Sequence, residues 1–115
     1  MHEGPARISQ LGHLSLAAGM ILSNEPGFYR TGAYGIRIEN LILVEDRPVE
    51  AGERPCFGFS TLTLVPYDRR LIDLRLLTGA ERAQVDAYHA EVRATLAPLV
   101  DEGSGDWLAG ATAPL

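Results

Sequence analysis

The sequence has no lysine and a single cysteine among its 115 residues. Its ten basic residues are all arginines, scattered along the chain and outnumbered by fifteen acidic residues, so the formal net charge is −5. An acidic chain without a basic patch is poorly suited to nucleic acid or to an anionic membrane surface, and we expect neither as a partner. The lone Cys56 excludes an internal disulfide and a thiolate metal cage.

Long apolar runs are also missing, and none approaches the roughly 18 residues that a membrane span requires. The N-terminus lacks the basic and apolar regions of a signal peptide, so we expect a cytoplasmic location. The hydrophobic fraction of 46% and the charged fraction of 22% are ordinary for a soluble globular protein. The length suits one domain or part of one.

What the chain does have is a distinctive stretch from Gly19 to Glu45. Two apolar runs in it, 20–22 and 36–44, are typical of strands, and we expect a loop rich in glycine and tyrosine between them. Each run carries a carboxylate. Glu25 closes the first run just before a Pro-Gly turn, and Glu39 lies inside the second.

Alternation divides the second predicted strand into two faces. One face carries Arg37, Glu39, Leu41 and Leu43, and the other carries Ile36, Ile38, Asn40, Ile42 and Val44. A charge on a strand this apolar is expensive to bury unless it is paired or bound to a metal. The residues alone leave both interpretations open: an Arg37–Glu39 ion pair at the exposed end of the strand, or a metal ligand.

Two motifs, Glu25-Pro26-Gly27-Phe28-Tyr29 and Tyr34-Gly35-Ile36-Arg37-Ile38-Glu39-Asn40, resemble the C-terminal half of aminopeptidase P, the Xaa-Pro aminopeptidases of the pita-bread metallopeptidase group. The opening His2-Glu3-Gly4-Pro5 is similar to the segment just upstream of these motifs in that family. The later Leu64-Val65-Pro66-Tyr67 and Tyr88-His89 resemble the end of the family. The likeness covers nearly the whole chain, and the order of the motifs makes it specific.

The resemblance implies an α+β fold, the C-terminal half of a pita-bread domain, with a mostly antiparallel sheet, one long helix and one short helix. Residues 1–66 would form the sheet and its metal-site half, and residues 67–115 a C-terminal helical extension. In the family, upstream segments supply two aspartate ligands and one histidine ligand, and these segments are absent here. We therefore expect Met1 to be a start within a catalytic domain, and the isolated chain to be incomplete and inactive.

The function that the resemblance implies is removal of an N-terminal residue preceding proline from peptides, by two divalent metal ions that are usually manganese. Glu25 would bind one ion and Glu39 would bridge both, which suits the preference of hard divalent ions for carboxylates. His2 would match a histidine that is not a ligand but helps to hold the substrate carbonyl or the tetrahedral intermediate. Arg37 and Tyr29 resemble a pair that orients the bridging ligand.

Other interpretations differ in function. One is a non-catalytic interaction module that keeps the scaffold without metal chemistry, and another is a prolidase- or creatinase-like relative. Without the rest of the pita-bread sheet, an apolar face and a strand edge would lie uncovered, so we expect a homodimer or a larger homo-oligomer.

The remaining elements are predicted from local signals. A third strand is expected over 57–66, and a short strand at 48–50. Thr78 and Glu81 have the spacing of a capping box, which predicts a helix that Pro98 kinks or ends. An apolar stripe at helical spacing marks the side of this helix that faces a core, namely Val85, Tyr88, Val92, Leu96 and Leu99.

Fewer signals define the rest of the C-terminal region. His89 is interpreted as a solvent-side residue of the helix. The glycines of 103–105 are expected to break the chain, with Asp106 capping a last turn that Trp107 anchors on the sheet. The tail after Gly110 is expected to be frayed.

Overall fold

The computed structural model describes residues 6–9, 11–50, 52 and 54–115. They fall into two compact units, the first ending at Thr63 and the second beginning at Leu64. Antiparallel strands build the first unit and helices the second, which confirms the predicted α+β class. The assignment of a metal-site role to 1–66 and of an extension to 67–115 stays a prediction, because compactness does not test what each part does.

Among the described residues of the first unit, five strands form two antiparallel sheets. They are β1 (Ile21–Asn24), β2 (Gly27–Arg30), β3 (Tyr34–Arg37), β4 (Asn40–Asp46) and β5 (Phe57–Thr61). The larger sheet has the order β1-β4-β5, and β2 pairs with β3 in the smaller one. The predicted third strand is thus shorter than expected, and residues 48–50 are not a strand.

The core of the first unit lies on one face of β4, as alternation predicts. Ile42 and Val44 are buried with Leu22 of β1, whereas Leu41, which precedes Ile42 and lies on the other face, is 47% exposed. Leu22 lies opposite Ile42 in the β1–β4 pairing, so the two strands place their apolar side chains together. This packing fixes the register, because a shift by one residue would turn these side chains to solvent.

The predicted loop between the carboxylate-bearing strands is in fact the β2–β3 hairpin. Phe28 lies opposite Ile36, and the turn contains Gly32 at a φ of 70°. The glycines that favoured a loop instead make room for an aromatic ring. A Cβ on Gly35 would come within 2.7 Å of the Tyr29 ring, and one on Gly27 within 2.8 Å of the Tyr29 hydroxyl.

The predicted strand over 36–44 is broken in two. Ile38 and Glu39 lie between β3 and β4, at the point where the chain passes from one sheet to the other. The amide of Ile38 donates to the Pro26 carbonyl at 3.1 Å. Glu39 is therefore outside the regular strand in which alternation placed it.

The long helix of the second unit, α1 (Gly79–Leu96), begins and ends as predicted. The Thr78 hydroxyl accepts from the Glu81 amide at 3.2 Å, and the Glu81 carboxylate accepts from the Thr78 amide at 2.8 Å. These two bonds complete the capping box. Pro98 lies in a short 3₁₀ turn, Ala97–Leu99, that directly follows the helix.

The second helix, α2 (Glu102–Ala111), contradicts the sequence prediction. Its N-cap is Asp101, whose side chain accepts from the Ser104 amide at 2.9 Å, and not Asp106. The glycines at 103 and 105 lie within the helix. Trp107 is 66% exposed, so it is not the predicted anchor, and Leu108 is the buried residue of this helix.

The end of the chain is packed, so the prediction of a frayed tail is wrong. Thr112 and Leu115 are buried. The Leu115 amide donates to Asp86 Oδ1 of α1 at 2.8 Å. Arg69 Nη2 donates to the Pro114 carbonyl, also at 2.8 Å. Each polar contact joins the tail to a different part of the second unit.

His89 of α1 is fully buried, which contradicts its predicted place on the solvent side. Its Nε2 accepts from the Tyr67 amide at 3.0 Å. The neighbouring Tyr88 stacks on the Tyr67 ring with centroids 4.7 Å apart. Tyr67, which precedes α1, therefore covers His89, a residue that lies outside the predicted apolar stripe.

Candidate metal centre

The two carboxylates singled out by the sequence converge on one guanidinium group. Arg37 Nη1 lies 3.5 Å from Glu25 Oε2, and Arg37 Nη2 lies 3.1 Å from Glu39 Oε2. The Arg37–Glu39 ion pair expected from the residues is thus present, and it extends to Glu25. The contact neutralises part of the negative charge that two neighbouring carboxylates bring together.

Strand pairing explains why residues so far apart in sequence meet. Asn24, the last residue of β1, lies opposite Asn40, the first residue of β4. Glu25 follows the first of these and Glu39 precedes the second, so both carboxylates flank the same pair. Arg37 is the last residue of β3 and pairs with Gly27, which lies two positions after Glu25. The site therefore lies where both sheets end.

The site is partly open to solvent. The side chain of Glu25 is 23% exposed, that of Glu39 is 40% exposed and that of Arg37 is 47% exposed. The pKa of Arg37 is raised above its ordinary value, first by the Glu39 charge and next by a hydrogen bond with the Tyr29 side chain. Arg37 is therefore a permanent cation, and the Tyr29 side chain contacts it.

Sequence analysis missed Ser23, whose hydroxyl donates to Glu25 Oε1 at 2.8 Å. Ser23 lies in β1, two residues before Glu25. Side chains two apart on an extended segment point the same way, so the period of two was the signal that pointed to this contact. The predicted catalytic residue His2 lies outside the described residues.

The chemistry of these donors suits a hard divalent ion, because such ions prefer carboxylate oxygens. Two carboxylates are nevertheless few ligands. Within residues 6–9, 11–50, 52 and 54–115, no group of three or more His, Cys, Asp or Glu side chains is placed to hold a metal ion. Glu25 and Glu39 thus supply two carboxylate groups of the kind that such an ion prefers.

Two family models match the chain. Residues 55–115 match the C-terminal region of peptidase M24, and residues 1–46 match metallopeptidase family M24. The chain belongs to metallopeptidase family M24. This membership accounts for the joint occurrence of the two carboxylate motifs and the helical C-terminal unit in one short sequence.

Relatives within the M24 family carry a more specific name. The chain is 42% identical to a probable Xaa-Pro aminopeptidase P of Arthroderma gypseum, over 100% of this chain and 19% of the relative. It is 46% identical to a protein of the same name from Fusarium vanettenii, over 80% of this chain and 16% of the relative. The chain thus spans about a fifth of the length of the curated relatives it matches.

A solved structure supports the fold. The chain is similar to X-prolyl aminopeptidase from Caenorhabditis elegans, with a TM-score of 0.81 and 36% sequence identity over 99% of this chain and 19% of that one. That protein is described as a cytosolic enzyme with a di-nuclear active site. The M24 chain thus has the fold of part of a pita-bread aminopeptidase. No helix among its described residues is long and apolar enough to cross a membrane.

Proposed function

We propose that Glu25 and Glu39 are two ligands of a dinuclear manganese centre in an aminopeptidase that removes an N-terminal residue preceding proline. The observation that carries the proposal is the convergence of both carboxylates on Arg37. The names of the M24 relatives and the di-nuclear site of the C. elegans protein support it. The activity belongs to a protein that includes the remaining ligands.

Each residue has a distinct task in this proposal. Glu25 would hold one ion and Glu39 would be shared by both, and such a pair of ions would supply an activated water and polarise the peptide carbonyl. Arg37 holds the two carboxylates in place and offsets their charge. Tyr29 fixes the guanidinium through its hydrogen bond. His2 is proposed to hold the substrate carbonyl or the tetrahedral intermediate.

The proposed setting follows from the same comparisons. The substrates are proline-containing peptides, and the location is cytoplasmic, in keeping with the description of the C. elegans protein. Nucleic acid and membranes are not proposed as partners, because the chain is acidic and its basic residues are scattered. We propose a homo-oligomer because many large apolar side chains of the described residues are exposed.

Manganese calorimetry on this chain tests the metal assignment. Glu39→Ala removes the proposed bridging ligand. Glu45→Ala is the matched control, because Glu45 is also a β4-associated carboxylate beside an arginine, with Arg47 Nη2 at 3.9 Å. We expect weak manganese binding that Glu39→Ala abolishes and Glu45→Ala preserves, and no cleavage of an Xaa-Pro peptide by the isolated chain, because its described residues lack the remaining ligands. Equal binding by wild type and both variants would contradict the assignment.

One observation favours a second function, that of a non-catalytic interaction module. Arg37 contacts both carboxylates, so part of the negative charge of this site is compensated without any metal. If the chain is such a module, the unsubstituted chain would form an oligomer but would bind no more manganese than the Glu39→Ala variant does. A peptidase would lose metal binding in that variant and keep its oligomeric state. The two measurements together separate the functions.

A further inference from the structure

We propose that Ser23 is a positioning residue that fixes the carboxylate of Glu25 for metal binding. Its hydroxyl holds Glu25 Oε1 at 2.8 Å, while Arg37 lies 3.5 Å from Oε2. The two carboxylate oxygens are thus held from two directions, one by a neutral donor and one by a cation. The inference rests on the proposed role of Glu25 as a ligand.

The backbone that carries Ser23 is firmly placed. Ser23 pairs with Leu41 in the β1–β4 register, next to the pair that Leu22 makes with Ile42 in the core. Glu25, in contrast, lies one residue past the end of β1. The hydrogen bond from Ser23 therefore fixes the position of the Glu25 carboxylate relative to the sheet, although Glu25 itself lies beyond the strand.

The hydrogen bond is compatible with metal ligation. An ionised carboxylate offers about four lone-pair sites, so an oxygen that accepts one hydroxyl proton retains capacity for a cation. Partners that orient a ligand in this way typically change metal affinity by about 10–100-fold when they are removed. The partial burial of Glu25, 23% exposed, limits the number of alternative orientations that water would stabilise.

The chain contains a matched contact away from the site. The Ser60 hydroxyl of β5 donates to Glu45 Oε2 in the same sheet, and Arg47 lies beside that carboxylate. Both contacts join a serine on a strand to a glutamate that also has an arginine neighbour. Only the contact of Ser23 involves a proposed ligand, so a variant at Ser60 reports the effect of losing such a contact on the sheet alone.

The test compares Ser23→Val with Ser23→Thr in this chain. Both replacements are β-branched and suit a strand, but only threonine keeps the hydroxyl. Manganese affinity is measured from the electron paramagnetic resonance signal of free Mn²⁺, which detects weak as well as tight binding. Ser60→Val is the control, and Ser23→Ala repeats the loss of the hydroxyl without a branched side chain, in case valine disturbs the strand.

We expect Ser23→Val to weaken manganese binding about 10–100-fold, with Ser23→Thr and Ser60→Val close to wild type. Wild-type affinity in both Ser23→Val and Ser23→Ala would overturn the inference, as would an equal loss in Ser60→Val. Failure of the proposed function looks different. In that case the unsubstituted chain binds no more manganese than Glu39→Ala, and the role of Ser23 falls with it.

Discussion

The buried imidazole of His89 is expected to make the free energy of unfolding depend on pH. Its Nε2 accepts from the Tyr67 amide, so the neutral ring carries its proton on Nδ1. Nδ1 is buried and has no hydrogen-bond partner among the described residues. Burial lowers the pKa of His89, Arg69 lowers it further, and Asp86 opposes both. Protonation of Nε2 would place its N–H opposite the N–H of Tyr67, so the hydrogen bond between the two residues would be lost.

We expect the free energy of unfolding to fall as the pH drops below about 6.5, the ordinary pKa of histidine. The unfolded state then binds a proton that the folded state does not, until the lowered folded-state pKa is reached. The slope is at most about 1.4 kcal/mol per pH unit for one group. Urea unfolding at several pH values, compared with His89→Gln, measures it. An identical slope in that variant would contradict the assignment.

Two glycines should respond oppositely to the same substitution. Gly105 lies inside α2, and a Cβ there would contact nothing within 4 Å, so Gly105→Ala should stabilise the protein by about 0.5–1 kcal/mol. A Cβ on Gly32 would also meet open space, but its φ of 70° is left-handed. Gly32→Ala should therefore destabilise the protein by about 1 kcal/mol. Thermal unfolding of both variants tests the pair, and equal signs would refute this explanation.

At the scale of the element, the start of α1 depends on a reciprocal pair of bonds. Thr78→Ala removes the hydroxyl that accepts from the Glu81 amide, and we expect the loss to cost about 1 kcal/mol. Thr78→Ser keeps the acceptor and should remain close to wild type. Chemical denaturation followed by circular dichroism distinguishes them. A serine variant as unstable as the alanine variant would show that the methyl group, and not the cap, matters.

Elements with local causes were predictable from the sequence. The capping box of α1 lies within one segment, and the alternation in β4 follows from a single run of residues. The predicted apolar stripe was wrong at its end, because Leu99 lies in the turn after α1 and is 74% exposed. His89 was not predictable, because its burial depends on Tyr67, 22 residues earlier in the chain. The glycines of α2 signalled a break, but the Asp101 cap and the buried Leu108 support a helix there.

The sequence pointed to Glu25, Glu39 and Arg37 of the candidate site, but not to Ser23 or to the geometry that joins them. The resemblance identified Glu25 and Glu39, whereas their convergence depends on the register that sets Asn24 opposite Asn40. The break at Ile38 was hidden, because Ile36 and Ile38 before it and Ile42 and Val44 after it keep the same period of two. Only the pairing of β3 with one sheet and of β4 with the other reveals the break.

On the scale of the whole molecule, exposed apolar surface is the dominant feature. Among the described residues, the side chains of Phe28, Leu71, Leu76 and Trp107 are 59%, 73%, 80% and 66% exposed. Each unit contains such side chains, and the relatives that the chain matches are about five times as long. Exposed apolar patches larger than a few hundred Å² mark sites of association.

We therefore expect the purified chain to sediment as a dimer or a larger assembly. Sedimentation velocity over a range of concentrations measures this directly, and a rise in mass with concentration would reveal the equilibrium. Added salt should not dissociate the assembly, because apolar contacts are not screened as ion pairs are. A stable monomer at every concentration would contradict the prediction.

The hydroxyl of Tyr88 forms hydrogen bonds with both main-chain polar groups of Val65, as the backbone of a neighbouring strand would. It donates to the Val65 carbonyl at 2.8 Å and accepts from the Val65 amide at 3.3 Å. Both bonds involve main-chain atoms, and the Val65 side chain is 62% exposed. Any residue with an amide proton at position 65 can therefore keep both bonds, and proline would lose the one that the amide donates. At position 88, phenylalanine would lose both bonds.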